Sequence, residues 1–198
     1  LAATFGWANE VAAHYERLRR CDPLTANHVS IGGQFSIWAG DAESVLEFTA
    51  EYLQSVGFNS WVEDVRFIAL KATGRYRDEP DAYGPNPEGS YFSIPRSVFL
   101  YALDNELAKA REILAAEIET ASVDDLTMLI VEAALGNRDA ANAYASKLDA
   151  RFAGPFILVE AIKGCYCGAP FDLEATPNFK ARIEEAGFQW PPPSPINY

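Results

Sequence analysis

The stretch Trp38–Val45 reads W-A-G-D-A-E-S-V, and a similar phrase recurs at Ala72–Glu79 and Ala134–Ala141. Each copy has a small or apolar residue, then glycine, then a polar and acidic run. Repetition at a fixed period is the sequence signature of a fold that is built from repeated units. The recurring phrase therefore indicates an architecture before it indicates a reaction.

The turn positions of this phrase recur at a nearly constant interval. Gly40, Gly74, Asn105, Gly136 and Gly168 are separated by 34, 31, 31 and 32 residues. Glycine and asparagine are the residues that best tolerate the left-handed backbone conformation that closes a helix. We therefore expect each of these five residues to end a helix.

The segments on either side of these turns have the apolar spacing of amphipathic helices. After the first turn, Val45, Thr49 and Tyr52 recur at intervals of four and three residues. Helices of about a dozen residues that are joined by such short turns form antiparallel pairs. The sequence predicts an all-α fold, with an opening helix over residues 7–20 and a last helix that starts at Thr176-Pro177.

A helix pair of about 34 residues with a small residue, glycine and a polar residue at its turn resembles the tetratricopeptide repeat (TPR) family. In the first unit, Gly33 lies where the family has its close-packing glycine, and D-P-L-T-A-N (Asp22–Asn27) resembles the junction between repeats. The second unit, W-V-E-D-V-R-F-I-A-L-K-A-T-G-R-Y, resembles a leading helix, with Phe67 in place of the packing glycine. Its trailing helix is cut at Glu79-Pro80.

The resemblance implies a right-handed superhelical solenoid of antiparallel helix hairpins, with about five degenerate repeats. It implies a single domain over residues 1–188, with repeat units at 26–59, 60–90, 91–121, 122–153 and 154–188 and a Pro-rich tail at 189–198. The ending from C-G-A-P onward resembles C-terminal repeat regions of larger bacterial proteins. Because Leu1 is not an initiator Met, we expect the chain to be part of a longer protein.

In this family the leading helices line a concave groove that binds a protein or peptide segment. The sequence thus predicts a non-enzymatic interaction scaffold that needs no cofactor. Trp38 and Trp61 are its central anchors, with the alternative that both fill space between helices. The residues that match the family's groove-facing positions are Asn27, Ser30, Gln34, Ile37, Trp38, Trp61, Asp64, Ile68, Lys71, Phe92 and Phe99.

Two other classes of function stay open. The first is a small-molecule-binding or enzymatic α-helical domain, in which Trp38, Trp61 and the loop at 77–90, rich in Pro, Gly and acidic residues, close a pocket. The purely structural interpretation is that this loop is a long connection between repeats. The second is a self-associating module, because solenoids with uncapped ends stack. The tail at 189–198 is either packed or linker sequence, or else a polyproline ligand.

The composition of the chain makes some classes of partner unfavourable. The 198 residues carry a formal net charge of −12, so nucleic acid and anionic membrane surfaces are unfavourable partners. No apolar run approaches the roughly 20 residues that span a bilayer, which predicts a soluble protein. Three cysteines are too few for a disulfide framework, and a reduced, cytoplasmic setting is the expectation.

The sequence contains few residues that could form a catalytic site. The chain has two histidines, His14 and His28, which are predicted to lie at the surface or at a helix end. Cys165 and Cys167 form a C-x-C pair without the second pair that a zinc site requires. No phosphate-binding glycine loop or nucleophile elbow is present. The pair Gly32-Gly33 falls within a helical pattern, where it predicts close approach of helices rather than a phosphate site. The sequence therefore predicts neither a catalytic nor a metal site.

Overall fold

The computed structural model describes residues 8–79, 81–90, 94–120, 123–151, 172–185 and 187. Within these ranges the chain is all-helical, as predicted, with nine α-helices, two short 3-10 turns and no strand. The helices are α1 Ala8–Cys21, α2 Ala26–Trp38, α3 Ala42–Ser55, α4 Ser60–Thr73, α5 Arg96–Leu103, α6 Leu107–Thr120, α7 Asp125–Ala134, α8 Arg138–Ala150 and α9 Pro177–Glu185.

The helices form two compact units. The N-terminal unit contains α1 to α4 and the loop that follows them, and the C-terminal unit contains α5 to α9. The opening helix and the last helix both lie where the sequence predicted them. The single domain over 1–188 and its five repeat units stay predictions.

The predicted turn residues adopt the left-handed conformation. The φ angles are 90° at Gly40, 73° at Gly74, 63° at Asn105 and 74° at Gly136, and Asn105 is the one non-glycine with positive φ among the described residues. Gly168 lies outside the described residues. Each of the four follows the end of a helix, where a left-handed residue lets the chain reverse and satisfy the last carbonyls.

Three of these turns are the same motif, because each joins two helices with the same backbone hydrogen bonds. The residue after the left-handed position donates its N–H to a carbonyl five residues earlier, which is the Schellman pattern. In α2–α3, α5–α6 and α7–α8, these bonds are Asp41 to Ser36 at 2.9 Å, Glu106 to Tyr101 at 2.7 Å and Asn137 to Glu132 at 2.8 Å.

The residue that completes this motif also starts the next helix in two of the three cases. The Asp41 carboxylate accepts a hydrogen bond from the Ser44 backbone N–H at 3.3 Å. The Asn137 carboxamide oxygen accepts one from the Ala140 N–H at 3.5 Å. One polar residue therefore serves both helices, which explains why the sequence places Asp or Asn directly after the glycine.

Gly74 ends α4 in the same conformation, but no second helix follows. Residues Arg75–Asp78 form one 3-10 turn, and Glu79 leaves it in an extended conformation. Residues 81–90 are not helical, as predicted for this loop. The loop lies along α4, since the Arg66 guanidinium pairs with the Glu79 carboxylate at 2.5 Å.

Two adjacent glycines in α2 allow its neighbours to pack closely. A Cβ on Gly33 would lie 2.9 Å from a Val65 methyl of α4 and 3.3 Å from a Val45 methyl of α3. A Cβ on Gly32 would lie 3.0 Å from the Cβ of Tyr15 in α1. The prediction that this pair marks close helix approach is confirmed, and α2 is the central helix of its unit.

In the C-terminal unit, α9 docks on α8 through its first turn. Asp149 of α8 is buried, and its carboxylate accepts hydrogen bonds from the backbone N–H groups of Asn178 at 3.0 Å and Phe179 at 2.7 Å. The Ser146 hydroxyl donates to the Ala175 carbonyl at 2.9 Å. A carboxylate from 29 residues earlier thus satisfies N–H groups that a local cap usually satisfies.

Candidate functional site

The predicted groove residues of α2 and α4 differ in exposure. Asn27 and Trp61 are exposed and Gln34 is half-buried. The others in these two helices are buried: Ser30, Ile37, Trp38, Asp64, Ile68 and Lys71. Phe99 is buried in α5 of the other unit, and Phe92 lies outside the described residues.

Trp38 packs inside the N-terminal unit. Its ring meets Phe35 edge-on with centroids 5.4 Å apart, and Phe35 in turn lies 5.5 Å from Tyr15 of α1. An aromatic chain of this kind fills the space between α1 and α2. The indole therefore has little surface to offer to a partner.

Asp64 holds the end of the loop against α4. Its side chain is fully buried and accepts a hydrogen bond from the Ser90 hydroxyl at 2.7 Å. Gly89 lies against Ser60, because a Cβ on that glycine would be 3.1 Å from the Ser60 hydroxyl. Residues 89 and 90 therefore lie against the first turns of α4, on the side that carries Asp64.

An exposed apolar surface lies at one end of the N-terminal unit. We call it the end surface and define it by four side chains from the α1–α2 loop, the α3–α4 loop and the first turn of α4. Both loops lie at this end because the helices alternate in direction. The side chains and their exposed fractions are Leu24 66%, Val56 44%, Phe58 67% and Trp61 49%.

Contacts beneath the end surface bring its elements together. Val29 of α2, Tyr52 of α3 and Val62 of α4 form a buried cluster just below it. The Tyr52 hydroxyl donates to the Leu24 carbonyl at 3.4 Å and so reaches the α1–α2 loop. The exposed residues of the end surface therefore lie next to side chains that pack in the core of the unit.

Local hydrogen bonds fix the backbone of both loops. The Asp22 carboxylate accepts from the Thr25 hydroxyl at 2.6 Å and from the Leu24 N–H at 3.2 Å. The Thr25 hydroxyl bond holds the pKa of the Asp22 carboxyl below its usual value, so the group is anionic at neutral pH. In the other loop, the Asn59 side-chain oxygen accepts from the N–H groups of Trp61 at 3.1 Å and Val62 at 3.2 Å.

The groove assignment from sequence included Trp61 but omitted Leu24, Val56 and Phe58. A signal was present, because these apolar residues interrupt turn-forming stretches, D-P-L-T and S-V-G-F-N-S. Turn segments are usually polar, and several large apolar residues that are exposed together mark a candidate interaction surface. Only the structure shows that these residues are exposed together.

A cleft of about 310 Å³ lies elsewhere on the same unit, between α1, α2 and α3. Its floor follows the small residues Gly32, Ser36 and Ala39 of α2, and its walls include Arg19 and Phe48. The Arg19 guanidinium stacks 4.3 Å from the centre of the Phe48 ring. The residues that line this cleft belong to α1, α2 and the start of α3, so the loop at 77–90 does not close it.

The described ranges contain no group of three His, Cys, Asp or Glu side chains that could hold a metal ion. His14 is exposed and accepts a hydrogen bond from Arg17 at 3.3 Å, while His28 bonds the Asp22 carbonyl at 3.2 Å. Cys165 and Cys167 lie outside the part of the chain that is described. Among the described helices, none is long and apolar enough to cross a membrane.

Comparison with models of known protein families, with curated proteins and with solved structures finds no match.

Proposed function

We propose that this chain is a non-enzymatic interaction module that binds a protein or peptide segment on the end surface of its N-terminal unit. The observation that supports it is the exposure of Phe58, and of Trp61 in the first turn of α4, on either side of Asn59, whose side chain fixes the start of that helix. Rigid aromatic anchors of this kind lose little entropy on binding and dominate the affinity of protein interfaces.

The size of the end surface suits a short segment. Burying one large apolar side chain contributes about 1.5–3 kcal/mol, and a micromolar complex corresponds to about 8 kcal/mol. The four side chains are 44–67% exposed, so together they contribute about 3–7 kcal/mol, and the apolar side chains of the bound segment must contribute the rest. The net affinity is lower because the bound segment must be ordered.

The TPR-like character of the helix pairs is part of this proposal. It is supported by the Schellman turn that recurs in α2–α3, α5–α6 and α7–α8 and by the close contact of Gly33 with Val65. A cytoplasmic role within a larger bacterial protein completes the proposal. The exposed free thiol of Cys21 is compatible with a reducing setting.

The test is a selection of binders from a displayed library of random 12-residue peptides on the full chain. We expect enriched peptides whose affinity falls at least tenfold for the double variant Phe58→Ser/Trp61→Ser. The control is Ile118→Ser, which removes an exposed apolar side chain from α6. Trp38 is left unchanged because its substitution would disturb the core.

The proposal fails if no peptide binds at micromolar affinity, or if every binder tolerates the double variant as well as it tolerates Ile118→Ser. Thermal melting of each variant provides the folding control. Because all three side chains are exposed, we expect their melting temperatures to stay within about 2 °C of wild type.

A second candidate function is binding of a small polar molecule in the cleft between α1, α2 and α3. The cleft volume and its mixed lining of Arg19, His28 and Asp41 favour it. A small-molecule library should then contain a compound that raises the melting temperature of wild type but not of Ser36→Leu, which fills the floor. A library without such a compound would contradict this candidate.

A further inference from the structure

We infer that the end surface binds a basic segment, one that places at least two apolar side chains on the surface and carries Lys or Arg beside them. The inference rests on the proposed function and specifies the chemistry of its partner. It is drawn from the distribution of charge around Leu24, Val56, Phe58 and Trp61.

All four side chains of the end surface belong to one stretch without a cation. Residues 21–65 contain no Lys and no Arg. The same 45 residues contain seven carboxylates: Asp22, Asp41, Glu43, Glu47, Glu51, Glu63 and Asp64. The overall formal charge of −12 does not by itself explain this distribution, because Lys and Arg occur both before and after the stretch.

Three of these carboxylates lie at the same end of the unit as the apolar side chains. Asp22 is exposed and bonded to the backbone of Leu24. Glu51 is exposed near the end of α3, five residues before Val56. Glu63 lies in the first turn of α4 with Trp61. Apolar anchors within a rim of carboxylates select a cationic partner, since unlike charges attract and anionic partners are repelled.

The arginines that flank the stretch have interactions of their own. Arg20 pairs with Glu16 at 2.5 Å within α1. The Arg19 guanidinium stacks on Phe48, and Arg66 pairs with Glu79. The Glu16 and Glu79 carboxylates offset the charges of Arg20 and Arg66, whereas Arg19 keeps its charge on the neutral Phe48 ring. The carboxylates of Asp22, Glu51 and Glu63 outnumber that one cation at this end of the unit, so the net charge there is negative.

The same charges disfavour the other occupants. A second copy of the chain would bring its own carboxylates of the same stretch against these. Nucleic acid and anionic lipid would be repelled for the same reason. A basic segment of another protein gains from both parts of the surface, the apolar anchors and the rim.

The test reads the charge of the peptides that the library selection enriches. We expect them to combine two or more large apolar residues with an excess of Lys and Arg. A synthetic copy in which each Lys or Arg becomes Glu should bind at least tenfold more weakly. Raising the salt concentration from 50 to 300 mM should weaken the original peptide severalfold, because the rim charges are screened.

Matched variants of the chain distinguish the contribution of the carboxylates to affinity from the contribution of the apolar side chains. Glu51→Gln/Glu63→Gln should weaken binding of the basic peptide roughly threefold to tenfold, as expected for two ion pairs that are accessible to solvent. The control Glu112→Gln/Glu119→Gln removes two acidic residues from the exposed side of α6 and should leave the affinity unchanged. Neither pair should shift the melting temperature by more than about 4 °C, because Glu63 contributes only a modest helix-dipole interaction in the first turn of α4.

Each other outcome has a defined meaning. Neutral or acidic peptides that still require Phe58 and Trp61 would overturn the inference and leave the proposed function in place. Peptides whose affinity does not depend on Phe58 and Trp61 would overturn both the inference and the proposed function. Concentration-dependent dimers in light scattering that Phe58→Ser abolishes would identify a second copy as the occupant and would also overturn the inference.

Discussion

The two ends of a helix hairpin in this protein are built by different means. At the turn end, α2–α3, α5–α6 and α7–α8 share one left-handed residue and one pattern of backbone hydrogen bonds. The opposite ends differ from pair to pair. In the N-terminal unit that end carries exposed Phe58 and Trp61, whereas in α7–α8 it is tied by ion pairs of Asp125 with Lys147 and Arg151.

The difference between the two ends indicates at which positions the sequence can vary. The turn end depends on backbone geometry, so only glycine or asparagine fits at its left-handed position. The opposite end depends on side chains, and it can be closed by charge or left open with apolar groups. We therefore expect substitutions at turn ends to cost stability and substitutions at the end surface to cost only binding.

The largest expected effect comes from Gly33, which lies between the two ends of the N-terminal unit and sets the separation of its helices. Gly33→Ala places a Cβ 2.9 Å from the Val65 side chain. We expect a loss of about 1–3 kcal/mol in the free energy of unfolding, measured with urea, because overpacking forces the helices apart.

A double-mutant cycle isolates the cause of that loss. Val65→Ala removes the methyl groups that the new Cβ meets, so Gly33→Ala should cost at least 1 kcal/mol less in that background. If the two effects simply add, the close contact of α2 with α4 is not the reason for glycine at this position.

The next effect is at the turn end itself. Gly40→Ala should cost about 1–2 kcal/mol, because φ is 90° and a side chain strains that conformation. No atom lies within 4 Å of the added Cβ, so the loss is conformational alone. Gly136→Ala, at φ 74° and in equally open space, is the matched comparison and should cost a similar amount. A large difference between them would mean that the two turns are not equivalent.

A smaller effect is expected at the charged end of α7–α8. The hydrogen bond from Lys147, with the nearby Arg151, holds the pKa of the Asp125 carboxyl below its ordinary value of 3.8. A lowered folded-state pKa means that the carboxylate stabilises the fold above pH 3.8 and that this contribution is lost as the pH falls through the folded value. Asp125→Asn should therefore reduce stability at pH 7.

The pH dependence provides the check. Urea unfolding of wild type and Asp125→Asn should differ at pH 7 and converge below the folded-state pKa of Asp125. Because the group is close to solvent, 0.5 M salt should reduce the difference at pH 7. A difference that persists unchanged at low pH would point to packing rather than charge.

The smallest effect on stability belongs to the end surface. Phe58→Ser should change the free energy of unfolding by less than about 0.5 kcal/mol, because the side chain is mostly exposed. The helix cap of Asn59 stays intact in this variant. A loss above 1 kcal/mol would show that Phe58 packs against the fold and does not serve as a free anchor.

The sequence by itself determined the helices and the turns between them. Backbone preferences act within a few residues, so Gly40, Gly74, Asn105 and Gly136 could be assigned to left-handed turns from composition and interval alone. Apolar periodicity is equally local, and it located the helices. The close packing at Gly32 and Gly33 followed from two glycines in a helical pattern.

Only the tertiary structure decided which side chains reach the surface. Trp38 packs on Phe35, which in turn contacts Tyr15 of α1, and Asp64 accepts a hydrogen bond from Ser90, 26 residues away. The start of α9 is capped by Asp149, 29 residues earlier, and Phe58 is exposed although it is a large apolar side chain. Burial depends on contacts between segments far apart in the chain, and these contacts leave no mark in local periodicity. For this reason the helix pairs could be predicted from the sequence, whereas the binding surface could be located only in the folded structure.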